Sequence, residues 1–216
     1  MPPDPDNIRN FQRLSPHWTT SGKLCADDLD SLTAIGVVHV INLGLDDHPE
    51  ALADEAGHLA ARGIGYSHIP VPFDAPDDTH YAAFVAALEG AGDAPVHVHC
   101  IMNYRVSAFF YRYHREALAM PEPEARAVMA RQWDPPASDR AETKAWARFL
   151  SGVGDTLSRN KLSSLRRIRL TGARAGPNHP DTSLKRKQNN GLLLRDGLHR
   201  PRGCFRPARR PGGSWG

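Results

Sequence analysis

Apolar and polar positions in the first 150 residues recur with two periods, one typical of strands and the other of helices. Alternating or continuous apolar runs predict strands, and four segments show them: 11–20, 37–44, 65–72 and 94–100. Apolar positions three or four residues apart predict helices in six segments: 26–36, 49–63, 79–92, 107–119, 122–131 and 138–150. The short segment at 11–20 is expected at the edge of a sheet.

Strands and helices alternate in chain order from residue 26 onward. Parallel strands need a crossover connection, and that connection is usually a helix. The order therefore predicts an α/β fold with three layers, in which helices flank a mostly parallel central sheet. We find no internal repeat in the sequence.

Charge divides the chain near residues 150–154. Residues 1–150 hold 12 Lys and Arg against 21 Asp and Glu, whereas residues 151–216 hold 15 against 3. The second part is dense in Arg, Gly, Pro, Ser and Asn. A segment of this composition buries too little apolar surface to offset the entropy lost on ordering. We predict one domain over 1–150 and a disordered basic tail over 151–216.

Two interpretations of the tail stay open. Its charge suits binding to nucleic acid through phosphate contacts, but it has few aromatic side chains and matches no nucleic-acid-binding module. Alternatively, Arg, Gly, Pro, Ala and Ser dominate when a GC-rich gene is translated out of frame or past its stop codon. We favour the second interpretation, because charge runs alone are weak evidence of function. Cys204 lies in the tail and has no predicted role.

The cysteines and the N-terminus indicate the compartment. Cys25, Cys100 and Cys204 are too few and too scattered for a disulfide scaffold, and no pair has zinc-site spacing. The first residues lack the basic and apolar parts of a signal peptide, and no apolar run is long enough to span a bilayer. We therefore expect a cytoplasmic protein without a membrane partner, in which a thiol can stay reduced and reactive.

Cys100 follows a predicted strand and precedes a predicted helix. Ligands of α/β folds bind at the carboxyl ends of strands, and a loop that enters a helix presents backbone N–H groups to anions. The positive end of the helix dipole, with Arg105 nearby, also favours the thiolate form of Cys100. The guanidinium of Arg105 is able to hold two oxygens of a tetrahedral anion. The chemistry that fits these residues is attack of a thiolate on phosphorus.

The same residues carry a family resemblance. The segment "VHVHC", with Arg105 and Ser107 after it, resembles the His-Cys-x5-Arg-Ser/Thr signature of cysteine-dependent protein tyrosine and dual-specificity phosphatases. Upstream, "SGKLCADDLDSLTAIGVVHVINLG" and "HIPVPFDAP" are similar to small bacterial phosphatase-like proteins of that group. The resemblance covers residues 11–149. It implies a hydrolase without metal or organic cofactor, whose partner is a phosphorylated protein or small molecule.

The resemblance also implies a role for each residue of the site. Cys100 becomes the nucleophile, Arg105 the phosphate ligand and Asp74 the acid that protonates the leaving group, with Asp77 and Asp78 as nearby alternatives for the acid. Ser107 would help the thiolate to leave, and His99 would support the site. The other residues of the predicted substrate-binding loop are Ile101, Met102, Asn103, Tyr104 and Val106.

The spacing departs from that signature. Four residues, rather than five, separate Cys100 from Arg105, yet Ser107 stands at the usual distance from the cysteine. Either the loop is one residue short, or its length is normal and the arginine is displaced by one. A loop that is shorter by one residue should hold a smaller anion or make one N–H contact fewer. The usual glycine is missing, although Asn103 adopts a left-handed conformation better than most residues.

Two other functions are alternatives to a phosphatase, and a metal site is an alternative role for the histidines. Rhodanese-like sulfurtransferases also use a six-residue loop, the length from Cys100 to Arg105, and carry a persulfide on its cysteine. A pseudophosphatase would bind a phosphorylated partner without turnover. His97 and His99 share one strand face, but no third ligand stands at metal spacing, so we interpret them as hydrogen-bonded histidines rather than a metal site.

Overall fold

The computed structural model describes residues 3–138 and 141–151. Five strands are present in these residues: β1 (Gln12–Arg13), β2 (Trp18–Ser21), β3 (His39–Asn42), β4 (Gly65–His68) and β5 (Val96–His99). The α-helices are α1 (Asp28–Ala34), α2 (Glu55–Ala60), α3 (Asp78–Gly90), α4 (Tyr104–Glu116), α5 (Glu122–Ala130) and α6 (Lys144–Ser151). The predicted tail lies outside the described residues from residue 152 onward, so both interpretations of it stay predictions.

The strands form one sheet in the order β1–β2–β5–β3–β4. Strands β2, β5, β3 and β4 run parallel, and β1 pairs antiparallel with β2. The predicted α/β class with a mostly parallel sheet is thereby confirmed. The segment 11–20 is at the edge only in part, because β2 extends the sheet beside the central strand β5 and leaves β1 as the outer strand.

Helices cover both faces of the sheet and bury two apolar clusters. Val40 and Ile41 of β3 belong to different clusters, because successive side chains of a strand point to opposite faces. The cluster around Val40 takes its helical side chains from α1 and α2: Leu29, Leu32 and Leu59. The cluster around Ile41 takes them from α3, α4, α5 and α6: Phe84, Phe109, Phe110, Met129 and Trp146. The sheet is therefore the middle of three layers.

Five of the six helices begin at other residues than predicted: α1 and α3 differ by one or two residues, and α6 begins at Lys144 rather than at residue 138. The other two, α2 and α4, begin after a left-handed residue. Helix α2 is six residues long and starts after Asp54 (φ 49°), whose carboxylate accepts a hydrogen bond from Gly57 N. Helix α4 starts at Tyr104 rather than at residue 107, directly after Asn103 (φ 65°). Arg105 consequently lies in the first turn of a helix. No helix among the described residues is long and apolar enough to cross a membrane, and the cytoplasmic location stays a prediction.

Candidate active site

Cys100 lies at the carboxyl end of the central strand β5, between β5 and α4. Both neighbours of β5 are parallel to it, so the loop after it opens in the middle of the edge where such folds bind ligands. The thiol is free, is 1% exposed, and lines a cavity of about 540 Å³. The nucleophile predicted from the sequence therefore stands at the inner wall of a pocket.

Three carbonyl groups of the Cys100 loop (residues 100–105) are bound from outside the loop. Three hydrogen bonds hold them: Lys23 N to Ile101 O (2.9 Å), Asn10 Nδ2 to Met102 O (3.0 Å) and Trp133 Nε1 to Tyr104 O (2.9 Å). By contrast, the backbone N–H groups of residues 101–106 donate no hydrogen bond to any described residue. A loop whose carbonyls are bound and whose N–H groups are not is a set of donors for an anion.

Asn103 makes this loop conformation compatible with a residue other than glycine. It is fully buried at φ 65° and ψ 11°. Its Nδ2 donates to Asn10 O at 2.9 Å and to Thr20 Oγ1 at 3.0 Å. Asparagine tolerates the left-handed region better than most residues, and these two bonds hold the side chain in place. The turn that starts α4 is thus fixed by a side chain.

Arg105 connects the Cys100 loop to a second loop, the Asp74 loop (residues 71–76). Its Nε donates to Val71 O at 2.8 Å, and its Cζ lies 5.3 Å from the centre of the Phe73 ring. The side chain is 7% exposed and lines the cavity. Its two Nη groups donate no hydrogen bond to a described residue, which leaves the outer edge of the guanidinium for two oxygens of an anion.

The three candidate acids differ in what they contact. Asp74 follows Phe73, which lines the cavity, and the Asp74 side chain is exposed. Asp77 caps α3, and the backbone N–H of His80 lowers the pKa of its carboxyl group. Asp78 is paired with Arg112 Nη1 at 2.7 Å. Both alternatives are therefore engaged at the start of α3, and Asp74 stays the predicted acid.

His99 and His97 have separate partners. His99 Nε2 lies 2.7 Å from Glu55 Oε1 in a buried ion pair. The ring nitrogens of His97 lie 2.9 Å from Thr19 Oγ1 and 2.8 Å from Ser21 Oγ. Burial, with the charge of His99 beside it, holds the pKa of His97 well below its usual range. Both nitrogens of His97 are thus engaged in hydrogen bonds.

Two predicted loop residues have side chains behind the loop. Val106 is fully buried in the cluster around Ile41 and is not among the residues that line the cavity. The Ser107 hydroxyl donates to Tyr104 O at 3.0 Å, within the first turn of α4. The predicted help of this hydroxyl to the departing thiolate stays a prediction.

Several residues that line the cavity are not among those predicted from the sequence. They come from the Asp74 loop, from the β3–α2 connection and from the segments around α5 and α6: Phe73, His48, Trp133, Asp134, Ser138, Glu142 and Thr143. Trp133 stacks on Tyr104 with ring centres 4.7 Å apart. No motif marks these residues, and those around α5 and α6 reach the pocket only through the packing of these helices.

The sequence matches a known family over the part that contains this site. Residues 10–112 match the phosphatase-like domain of the beta-lactamase hydrolase-like protein family. A crystal structure of a candidate phosphatase of the DUF442 group from Shewanella putrefaciens CN-32 is 31% identical, with a TM-score of 0.60; the alignment covers 69% of this chain and 93% of that one. This chain belongs to that phosphatase-like family.

More distant solved structures share the fold. TpbA of P. aeruginosa, crystallised as a variant with phosphotyrosine, is 19% identical with a TM-score of 0.52, covering 76% of this chain and 91% of that one. The PP-IP phosphatase SIW14 of S. cerevisiae is 10% identical with a TM-score of 0.57, covering 76% and 94%. No curated protein matches the sequence. Family and fold together support phosphoester hydrolysis in general, and neither the sulfurtransferase alternative nor nucleic-acid binding gains support from them.

Proposed function

We propose that this phosphatase-like domain hydrolyses phosphomonoesters through a cysteinyl-phosphate intermediate on Cys100. The observation that carries the proposal is the Cys100 loop, in which the carbonyls of Ile101, Met102 and Tyr104 are bound from outside while the N–H groups of residues 101–106 donate to no described residue. Such a loop is prepared for an anion with several oxygens, and a thiol stands at its first residue. Arg105 adds a positive charge on the same cavity.

The first step transfers the phosphoryl group to sulfur. The Cys100 thiolate attacks phosphorus, an S–P bond forms, and the bond from phosphorus to the leaving oxygen breaks. That oxygen takes the electron pair and receives a proton from the Asp74 carboxyl group. Arg105 and the N–H groups hold the other three oxygens throughout, which lowers the barrier by stabilising their charge.

The second step regenerates the enzyme. Asp74, now a carboxylate, takes a proton from a water molecule as that water attacks the phosphorus of the intermediate. The S–P bond breaks and its electron pair returns to Cys100 as a thiolate. Inorganic phosphate is released, so protons and electrons balance over the cycle without a metal or a redox partner.

An aryl ester is the first substrate to test. The cavity has aromatic walls at Phe73, Tyr104 and Trp133, which suit a planar leaving group. The TpbA structure holds phosphotyrosine, a ligand of the same chemical class. A phosphorylated protein or an aromatic small molecule would present this group.

The test is hydrolysis of 4-nitrophenyl phosphate between pH 5 and pH 8, with a chelator present. We expect turnover that Cys100→Ser lowers by at least about 10³-fold. Arg105→Lys keeps the charge but loses the planar fork, and should lower kcat/KM by about 10²-fold. Each variant is compared with the wild type by circular dichroism to establish that it is folded.

Two results would contradict the proposal. A wild type that is inert at high enzyme concentration but still binds phosphotyrosine would identify a pseudophosphatase. Transfer of sulfur from thiosulfate to cyanide, again without phosphate release, would identify a sulfurtransferase.

A further inference from the structure

The C-terminal part of the described chain contacts both loops of the site, although it lies outside the family match at residues 10–112. Trp133 follows α5, and Trp146 belongs to α6. The two indole rings are in edge contact, with centres 5.8 Å apart. They therefore form one unit that reaches two separate loops.

Trp146 holds the backbone of the Asp74 loop. Its indole Nε1 donates to Phe73 O at 2.6 Å, and Phe73 directly precedes Asp74. The rings of Trp146 and Phe73 are also in contact, with centres 5.7 Å apart. Trp146 is fully buried, so both contacts are made away from water. Together with the bond from Arg105 to Val71 O, this fixes the loop at two carbonyl groups.

Trp133 makes the corresponding contact with the Cys100 loop. Its Nε1 donates to Tyr104 O at 2.9 Å while its ring stacks on the Tyr104 ring. Each indole N–H thus binds one carbonyl, one in each loop. The distance between the two loops is then set by the packing of α5 and α6 as well as by the sheet.

We propose that Trp146 is a positioning residue for the general acid, acting through the Phe73 carbonyl. The inference rests on the proposed function, in which Asp74 protonates the leaving oxygen. The Asp74 side chain is exposed and donates or accepts no hydrogen bond with another described residue, so its place depends on the backbone that carries it. Proton transfer needs a donor within hydrogen-bond distance, so a small shift of that backbone has a large effect.

Leaving-group dependence distinguishes positioning of the acid from a general loss of structure. Phenolate is a poor leaving group that needs a proton, whereas 4-nitrophenolate leaves with little help. Trp146→Phe keeps an aromatic ring and removes the N–H group. We expect kcat/KM for phenyl phosphate to fall about tenfold and that for 4-nitrophenyl phosphate to fall less than about twofold.

Two further variants are needed: one shows how large the selective loss is when the acid itself is removed, and the other is a control. Asp74→Asn should show the same selectivity in a stronger form. Phe149→Leu removes another aromatic neighbour of Trp146, at 5.7 Å, from the same cluster. Phe149 has no ring contact with Phe73 among the described residues, so the ratio of the two kcat/KM values should stay that of the wild type even if Tm falls.

The outcomes separate the inference from the proposed function. If Asp74→Asn lowers kcat/KM equally for both substrates, Asp74 is not the acid, and the acid assignment and the inference both fail. If Asp74→Asn lowers kcat/KM mainly for phenyl phosphate but Trp146→Phe lowers it equally for both substrates, the inference fails and the proposed function stands. If Trp146→Phe does not fold, replacement of Trp146 by the sulfur analogue benzothienylalanine keeps the ring shape, removes only the N–H group, and must show the same selective loss.

Discussion

Glu55 is a buried carboxylate that contacts His99, the residue directly before Cys100. Its Oε1 pairs with His99 Nε2, and its Oε2 accepts from Asn42 Nδ2 at 2.8 Å and from Tyr66 OH at 3.1 Å. Asn42 in turn accepts from Gly44 N at 2.6 Å. Burial opposes ionisation of Glu55, but the charge of His99 and these hydrogen bonds outweigh burial and lower its pKa. One carboxylate thereby holds the ends of β3 and β5 together.

A stability measurement tests the charge of Glu55. Its pKa is lower in the folded chain than in the unfolded chain, where it is about 4.3, so the unfolded chain binds more protons as the pH falls and the stabilisation is lost there. We expect Glu55→Gln to cost about 3 kcal/mol at pH 6, since it leaves His99 without its partner. The difference should shrink below about pH 4.

Urea unfolding at several pH values measures this difference. The matched control is Glu89→Gln, which changes an exposed glutamate and should leave stability unchanged within about 0.5 kcal/mol. A cost for Glu55→Gln that is the same at pH 6 and at pH 3.5 would show that the pKa of Glu55 is the same in the folded chain as in the unfolded chain.

At the scale of elements, the end of β2 packs directly on the Cys100 loop. Gly22 follows β2, and its N–H donates to Arg9 O at 2.7 Å. A Cβ atom at Gly22 would lie 2.8 Å from Ile101 O, which is a backbone atom and cannot rotate away as a side chain does. The neighbouring Lys23 N binds the same Ile101 carbonyl. Close approach of two backbones therefore requires glycine here and sets the position of the loop.

Gly22→Ala should displace the Ile101 carbonyl and, with it, the N–H groups of the Cys100 loop. We expect the dissociation constant of inorganic phosphate to rise about tenfold, the loss of roughly one hydrogen bond to a charged group. Gly90→Ala is the matched control, because no atom lies within 4 Å of a Cβ at that helix end. Isothermal titration calorimetry measures both variants without relying on turnover. Equal phosphate affinity in the two variants would refute the packing argument.

At the scale of the whole molecule, the described helices α5 and α6 complete the cavity that the family match alone leaves open. Trp133 and Glu142 belong to these later segments and line the same cavity as Cys100. The aligned Shewanella structure covers 69% of this chain, which is also more than the 103 residues of the family match. The phosphatase-like domain is therefore expected to extend to about residue 151.

Limited proteolysis of the full chain tests that boundary. Residues 151–216 hold 15 Lys and Arg, and their predicted disorder should expose them to trypsin. We expect a fragment that ends near residue 151 and keeps the kcat/KM of the full chain for 4-nitrophenyl phosphate. Early cleavage inside residues 3–138, or loss of activity when the tail is removed, would place the boundary elsewhere.

The α/β class, the order of the elements and the position of Cys100 at the end of a strand were predictable without the tertiary structure. These features depend on local periodicity and on neighbours in the chain, which can be recognised residue by residue. The left-handed start of α4 at Asn103 agrees with the known tolerance of asparagine for that conformation. The exact start of the helix was nevertheless misplaced by three residues, because the residue at which a loop becomes a helix depends on cap and tertiary contacts.

Which distant groups surround Cys100 depends on how the whole chain packs. The bond from Trp146 to Phe73 O joins residues 73 positions apart, and that from Trp133 to Tyr104 O joins residues 29 apart. The pair of Glu55 and His99 likewise depends on β3 and β5 being neighbours in the sheet. These contacts follow no local periodicity. Several have a backbone carbonyl as acceptor, and because every residue has one, residue type does not mark it. Their partners are fixed by the order of strands and the packing of helices, which brings them together only when the chain has folded.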